Sequence, residues 1–121
     1  MGNYLRKRID AFRYAGRGVA RLFRGEAHAK IHMVAAVLVI AAGLIVGLSN
    51  VEWCIIVLCI GGVFMAEAFN TAIERVCDKV SPEKNPLIRD AKDIAAGAVL
   101  MLAIASVVIA LLIFLPKLSL I

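Results

Sequence analysis

Residues 53–80 read WCIIVLCIGGVFMAEAFNTAIERVCDKV, and the change of character within this stretch decides the fold. Its first fourteen residues carry no charge and are mostly apolar, which is typical of a membrane-spanning helix. Four polar side chains then follow at spacings of three, four and four residues: Glu67, Asn70, Glu74 and Asp78. At about 100° per residue these four share a sector about 80° wide. The sequence therefore predicts one helix whose polar face starts at membrane depth and continues beyond the membrane.

Two further apolar runs, residues 33–49 and 94–115, bring the number of predicted membrane spans to three. The 121 residues are 62% hydrophobic and 19% charged, with a mean hydropathy of +0.88, which does not suit a soluble domain of this size. We predict an all-α membrane protein in one domain, residues 1–121. Its predicted parts are an N-terminal amphipathic surface helix (1–29), three transmembrane helices (31–50, 52–80 with a cytoplasmic extension, and 93–116) and a cytoplasmic loop (81–92), with breaks at Pro82 and Pro86 and a stop at Pro116.

The N-terminal segment combines an apolar stripe with a basic face. Leu5, Ile9, Phe12, Val19 and Phe23 fall on one side of a helix, and five arginines gather beside them. This pattern predicts a helix that lies in the headgroup layer, although a merely basic topology signal is the alternative. The basic face is also suited to nucleotide phosphates. A basic face beside an apolar stripe, just before a span, does not favour nucleic-acid binding.

The distribution of basic residues predicts the orientation. Residues 1–30 hold eight Lys and Arg, and residues 74–93 hold five, whereas the turn near residues 48–51 holds none and the C-terminal tail holds only Lys117. Basic loops stay on the cytoplasmic side of a membrane. We therefore expect the N-terminus and residues 74–93 to face the cytoplasm.

The depth of the polar face suggests its chemistry. Glu67 lies about 9 Å below the cytoplasmic end of its span, because each residue adds about 1.5 Å. A carboxylate there is costly in lipid and usually marks function, and it is placed to take a proton from a lipid hydroxyl. Glu74 and Asp78 lie higher and suit Mg²⁺, which prefers oxygen ligands and bridges phosphates. The alternative is a polar face that only packs the helices together.

Three more groups are candidates for the same site. Lys92 and Asp93 lie at the mouth of the third span. Lys92 can offset phosphate charge, and Asp93 can orient the lysine or bind metal. A snorkelling lysine would also explain Lys92. Glu26 could approach Glu74 if the hairpin is short. His28 and His32 share a helix face, which is a weak zinc signal and fits an interfacial pair or a headgroup contact better.

Residues 67–100, with their E-x-x-N-x-x-x-E-x-x-x-D…K-D pattern, resemble the small integral membrane lipid kinases of bacteria, the diacylglycerol and undecaprenol kinases. The resemblance implies a multi-pass protein of the bacterial plasma membrane, a homotrimer with active sites between subunits. It also implies transfer of phosphate from ATP, with Mg²⁺, to the primary hydroxyl of a membrane lipid alcohol, either undecaprenol or diacylglycerol. His32, which stands where proteobacterial diacylglycerol kinases have Glu, and the SPE…P loop are more similar to the undecaprenol kinase branch.

Site residues follow from the same resemblance. Glu67 would be the catalytic base, with Asn70 and Lys92 beside it, and Glu26 and Glu74 would bind Mg²⁺. The lipid would contact Glu67, His32 and Ala96. The nucleotide would contact Lys7 (where an Arg is expected), Tyr14, Glu26, Glu74, Asp78, Glu83, Lys84, Asn85, Lys92 and Asp93.

Two other classes of protein remain as alternatives. A small proton-coupled multidrug-type transporter would use Glu67 to exchange protons for a cationic solute. Such transporters usually have four spans and keep their carboxylate near the bilayer centre, whereas the acidic residues here rise towards the cytoplasm. A structural subunit would explain the small residues Ala95 to Ala98 but not the ordered series of acids.

Overall fold

A computed structural model describes residues 2–81 and 83–119, and within these residues the chain forms four helices and no strand. The helices are α1 (Gly2–Gly25), α2 (Ala27–Val46), α3 (Asn50–Val80) and α4 (Pro86–Leu118). The last three are long and apolar enough to cross a membrane. The prediction of an all-helical protein with three candidate spans is therefore confirmed. Pro82, to which we assigned a helix break, lies outside the described residues.

A tight turn joins α2 to α3. Gly47 ends α2 with a φ of 76°, a conformation that glycine adopts without strain, and its N–H donates to the carbonyl of Gly43. Ser49 and Glu52 then cap α3 reciprocally: the Ser49 hydroxyl accepts from the Glu52 N–H at 3.2 Å, and the Glu52 carboxylate accepts from the Ser49 N–H at 2.9 Å. Because only three residues separate the helices, α2 and α3 fold back on each other.

The connection from α3 to α4 is shorter than we predicted. Residues 86–92, which we placed in the loop, are helical. Pro86 begins α4 instead of breaking a helix, because the first helical position needs no N–H partner, and the Asn85 side chain caps it by accepting from the Leu87 N–H at 2.9 Å. At the other end Pro116 lies inside α4, which continues to Leu118, since a proline in the last turn removes only one backbone hydrogen bond.

The first helix is also shorter than predicted. α1 ends at Gly25, and Glu26 has an extended backbone that separates it from α2, so the predicted helix 1–29 is in fact two elements. Leu22 is buried, and the ring of Phe23 meets that of Phe64 on α3 edge-to-face at 5.1 Å. These contacts dock the C-terminal end of α1 against α3. The placement of α1 on the membrane surface stays a prediction.

Packing is concentrated between α3 and α4, and few side chains are buried. Most large apolar side chains on α2, α3 and α4 are exposed, which a protein in water does not tolerate over such an area. At the end of the bundle formed by the α2–α3 turn, Lys117 Nζ lies 3.0 Å from Glu52 Oε1 and joins the end of α4 to the start of α3. The chain is a membrane protein whose apolar surface is covered by lipid or by other copies of itself.

Candidate active site

The polar face of α3 changes from buried to exposed along the helix. Glu67, Asn70 and Thr71 are buried, Glu74 is half-buried, and the side chain of Asp78 is 65% exposed. The contacts of α3 with α1, α2 and the bend between them include Phe23 with Phe64, His32 with Glu67 and Glu26 with Arg75, all before Asp78. A ligand can therefore approach from the exposed end and still reach a carboxylate that is shielded from water.

Glu67, the deepest of these carboxylates, meets a histidine of α2. His32 Nε2 lies 3.5 Å from Glu67 Oε2, and the two side chains are 22% and 3% exposed. The sequence placed both residues at the lipid site but did not pair them, because the register of α2 against α3 depends on the turn at Gly47. The pair joins the most buried carboxylate of the chain to a group that reaches the surface.

Asn70 and Thr71 carry hydrogen-bonding atoms that nothing satisfies within the described part of the chain. The Asn70 amide donates to Glu74 Oε1 at 3.2 Å and so orients that carboxylate, but Asn70 Oδ1 and Thr71 Oγ1 are buried without a partner. Buried polar atoms are nearly always paired in native proteins. These two atoms therefore need a partner from a ligand, from water or from a second copy of the chain.

Glu26 is brought to α3 by the bend between α1 and α2. Its carboxylate lies 3.9 Å from Arg75 Nη2, and Arg75 directly follows Glu74. Because Glu26 makes no side-chain cap to α2, its oxygens stay available to a ligand. From the sequence we predicted that Glu26 could approach Glu74, and this stays a prediction. The contact with Arg75 was missed, although its position next to Glu74 was the available signal.

Glu26 and Glu74 suit Mg²⁺ in the way that phosphate-transferring enzymes hold it. No group of three or more His, Cys, Asp and Glu that could hold a metal is found in residues 2–81 and 83–119. A dedicated cage of protein ligands is thus missing from this region. Mg²⁺ usually keeps several waters and is bound through one or two carboxylates together with substrate phosphates. Two carboxylates on neighbouring elements fit that pattern.

Lys92 links α4 to the exposed end of the acidic face. Its ammonium donates a hydrogen bond to Asp78 Oδ1. This bond raises the pKa of Lys92 above its ordinary value, and Lys92 lies in the polar first part of α4, before the apolar stretch that begins at Ile94. The lysine therefore stays charged at neutral pH and can offset phosphate charge. Asp93, next to it, is exposed.

The turn after α3 forms a surface cavity of about 390 Å³ that includes several predicted nucleotide contacts. Ser81 donates to the carbonyl of Glu83 at 3.1 Å and shapes the turn. The residues that line the cavity include Glu83, Lys84, Asn85, Arg89 and Lys92. Four residues that we assigned to the nucleotide thus meet at one surface, and Arg89 adds a further positive charge.

Lys7 and Tyr14 do not line this cavity. They lie on α1, 19 and 12 residues before Glu26. The Tyr14 ring instead carries the guanidinium of Arg17, 5.7 Å from its centroid. Ala96, predicted to contact the lipid, is exposed on α4 one turn after Lys92.

An apolar cavity of about 270 Å³ lies between α2, α3 and α4 and begins at His32. Along α3 it extends from Phe64 to Ile56, a length of about 12 Å in the direction away from the acidic face. Its other lining residues include Ala36, Ala103, Ser106 and Ala110, and the Ser106 hydroxyl is buried without a partner. The sequence analysis missed this cavity, although alanines seven residues apart on α4 indicate a face with little side-chain volume.

In this bundle of membrane helices a shielded carboxylate lies above an apolar cavity, and further carboxylates lie at the exposed end. This arrangement defines a class of enzyme that acts on membrane lipids. Comparisons with known proteins identify the family. The sequence model of the family described as prokaryotic diacylglycerol kinase matches residues 13–114. The chain therefore belongs to the prokaryotic diacylglycerol kinase family and is a lipid kinase, as predicted.

Individual relatives agree with this assignment. The chain is 47% identical over 116 residues to an undecaprenol kinase of Bacillus subtilis, covering 96% of this chain and 94% of that protein. It is 38% identical to a diacylglycerol kinase of Synechocystis, covering 91% of this chain and 63% of that longer protein. A diacylglycerol kinase of Pseudomonas aeruginosa is 30% identical, with 78% of this chain and 76% of that protein covered. No comparison supports the transporter alternative.

Proposed function

We propose that the chain transfers the γ-phosphoryl group of ATP to the terminal hydroxyl of a long single-chain lipid alcohol of the undecaprenol type. The observation that carries this proposal is the position of Glu67, shielded from water and joined through His32 to the head of an apolar cavity. A cavity of about 270 Å³ has room for part of a hydrocarbon chain. The 47% identity to an undecaprenol kinase favours the same substrate class.

In the proposed reaction Glu67 takes the hydroxyl proton as the lipid oxygen attacks the γ-phosphorus. The bond from that phosphorus to the β-γ bridging oxygen breaks, and ADP leaves. Lys92 offsets negative charge on the phosphates, and Asn70 holds Glu74 in place through its amide. Mg²⁺, when bound by Glu26 and Glu74, would neutralise phosphate charge. Most of the rate enhancement then comes from positioning and electrostatics.

The working unit in this proposal is a homotrimer with sites between subunits. Lys7 and Tyr14 do not line the cavity that the other predicted nucleotide contacts form in their own chain, so a neighbouring copy offers them a role. The unpartnered atoms of Asn70 and Thr71 fit such a shared site. The N-terminal helix would lie on the cytoplasmic face of the bacterial plasma membrane, where its exposed apolar residues such as Phe12 and Val19 enter the lipid.

The experiment that tests the proposal measures phosphate transfer from labelled ATP in mixed micelles that contain either undecaprenol or diacylglycerol. We expect transfer to undecaprenol and a loss of about a hundredfold or more in Glu67→Gln. The matched control is Glu52→Gln, which removes a carboxylate from the other end of α3. Full transfer by Glu67→Gln would refute the role of Glu67. Equal or faster transfer to diacylglycerol would refute the single-chain preference while leaving the kinase assignment intact.

A further inference from the structure

Each turnover of the proposed reaction leaves a proton on a carboxylate that water does not reach. The Glu67 side chain is only 3% exposed, and its polar neighbours on α3 are buried as well. A second lipid hydroxyl cannot be deprotonated until that proton has left. The site therefore needs a path from Glu67 to water, and this need rests on the proposed function of Glu67 as the base.

His32 is the ionisable side chain that contacts Glu67 within the described residues. Its Nε2 lies 3.5 Å from Oε2, which is slightly long for a hydrogen bond, and such bonds often shorten only when substrate is bound. His32 lies five residues after the start of α2, close to the polar end of that helix, and its side chain is 22% exposed. A neutral imidazole carries one nitrogen that accepts a proton and one that donates, so it can take a proton on one side and release another on the other.

We propose that His32 takes the proton from Glu67 after each transfer and releases it to water. The lipid O–H bond breaks, and its proton bonds to Glu67 Oε2. The proton then moves to the unprotonated Nε2 of His32, which becomes an imidazolium, and Glu67 returns to its carboxylate form. The imidazolium loses its other ring proton, from Nδ1, to water, and exchange of the remaining proton from Nε2 to Nδ1 through water restores the unprotonated Nε2 for the next turnover. His32 acts through Glu67, so it is a positioning and proton-accepting residue.

The surroundings of His32 leave Glu67 as its main electrostatic partner. The α3 residues that line the cavity include one other ionisable group, the half-buried thiol of Cys59. The α4 residues that line it are not ionisable: Ala103, Ser106, Val107 and Ala110. On α2 itself His28 lies one turn earlier and is exposed, as is Lys30. Glu26 at the bend faces Arg75 of α3, and Arg24 at the end of α1 is exposed. Protonation of His32 in acid would block the relay because Nε2 could no longer accept.

The test compares the first turnover with later ones, because a relay matters only after the first. Wild type, His32→Gln and His28→Gln are mixed rapidly with ATP and undecaprenol micelles, and product is measured from milliseconds to minutes. We expect His32→Gln to make about one product per site in a first phase and then to slow about tenfold or more relative to that phase, a slowing that wild type does not show. His28→Gln, an equivalent change at an exposed histidine one turn away, should behave as wild type throughout.

Two further readouts separate a relay from a structural role. Free imidazole should accelerate the slow phase of His32→Ala, in proportion to its unprotonated form, and the loss of activity in acid should be weaker in His32→Gln than in wild type. Equal slowing of the first and later turnovers, or a slow phase that imidazole does not change, would overturn the proposal. Wild-type kinetics in His32→Gln would also overturn it. An inactive wild type would instead refute the proposed function.

Discussion

Lys92 on α4 donates a hydrogen bond to Asp78 on α3, so a single pair ties the two helices together at the end where the acidic face is exposed. At the opposite end the pair of Lys117 and Glu52 ties the same helices. The two pairs lie at opposite ends of the α3–α4 interface. Each pair is partly exposed, so its contribution to stability is small and sensitive to pH.

The first prediction concerns the pH range of the Lys92–Asp78 pair. The bond raises the pKa of Lys92, so its stabilisation is fully present below the ordinary lysine value and is lost as pH rises through the raised value. We expect Lys92→Met to lower the unfolding midpoint slightly at pH 7 to 9. The difference from wild type should vanish in strong alkali. Thermal unfolding in micelles, followed by circular dichroism, measures the midpoints of wild type and Lys92→Met across this pH range. A difference between them that grows with pH would show that the Lys92–Asp78 pair is not its cause.

The second prediction concerns Mg²⁺. If Glu26 and Glu74 hold the ion together with nucleotide phosphates, removing one carboxylate weakens the site without abolishing it. We expect Glu74→Ala to need about tenfold or more Mg²⁺ for half-maximal transfer, with excess Mg²⁺ restoring part of the rate. The matched control is Asp90→Ala, an exposed carboxylate near the start of α4. An unchanged Mg²⁺ requirement in both Glu74→Ala and Glu26→Ala would exclude the predicted metal site.

The third prediction concerns the apolar cavity. Ala103 lines it, and a phenylalanine there would occupy much of the space, whereas Ala105 on the same helix is exposed and does not line the cavity. We expect Ala103→Phe to slow transfer to undecaprenol about tenfold or more while a short-chain alcohol such as farnesol reacts nearly as in wild type. Ala105→Phe should leave both rates unchanged. If Ala103→Phe slows both alcohols equally, the cavity does not hold the chain.

The chain's helices and its acidic face could be predicted from sequence because both depend on local periodicity. The series Glu67, Asn70, Glu74 and Asp78 shares one face on any regular helix, whatever the rest of the chain does. Ends of helices were less predictable: Pro86 was interpreted as a break and is a first helical residue, because proline disrupts a helix interior but suits its start. The proline alone does not distinguish these two positions.

Contacts between helices could not be predicted, because they depend on register and distance. The pairing of His32 with Glu67 and of Glu26 with Arg75 requires the rotation of α2 against α3, which the Gly47 turn and the cap by Ser49 determine. Periodicity says which side chains share a face but not which face of the next helix they meet. The cavity was missed for the same reason, since it exists only where the small residues of α2 and α4 meet α3.

The fourth prediction concerns the close packing of α2 on α3, on which the His32–Glu67 distance depends. A β-carbon added to Gly43 would lie 2.8 Å from the side chains of both Leu48 and Trp53, and the indole fills the space that glycine leaves. We expect Gly43→Ala to destabilise the fold by about 1–3 kcal/mol, because overpacking outweighs the better helix propensity of alanine.

The matched control is Gly61→Ala on α3, where an added β-carbon meets nothing within 4 Å and alanine should be neutral or slightly stabilising. Unfolding in micelles of defined composition measures both variants against wild type. Because the displaced Trp53 would push α2 away from α3, Gly43→Ala should also lengthen the His32–Glu67 contact and slow phosphate transfer. Equal stability of the two variants would mean that α2 and α3 can separate at Gly43 without a cost in free energy. Some other contact would then have to determine the register that pairs His32 with Glu67.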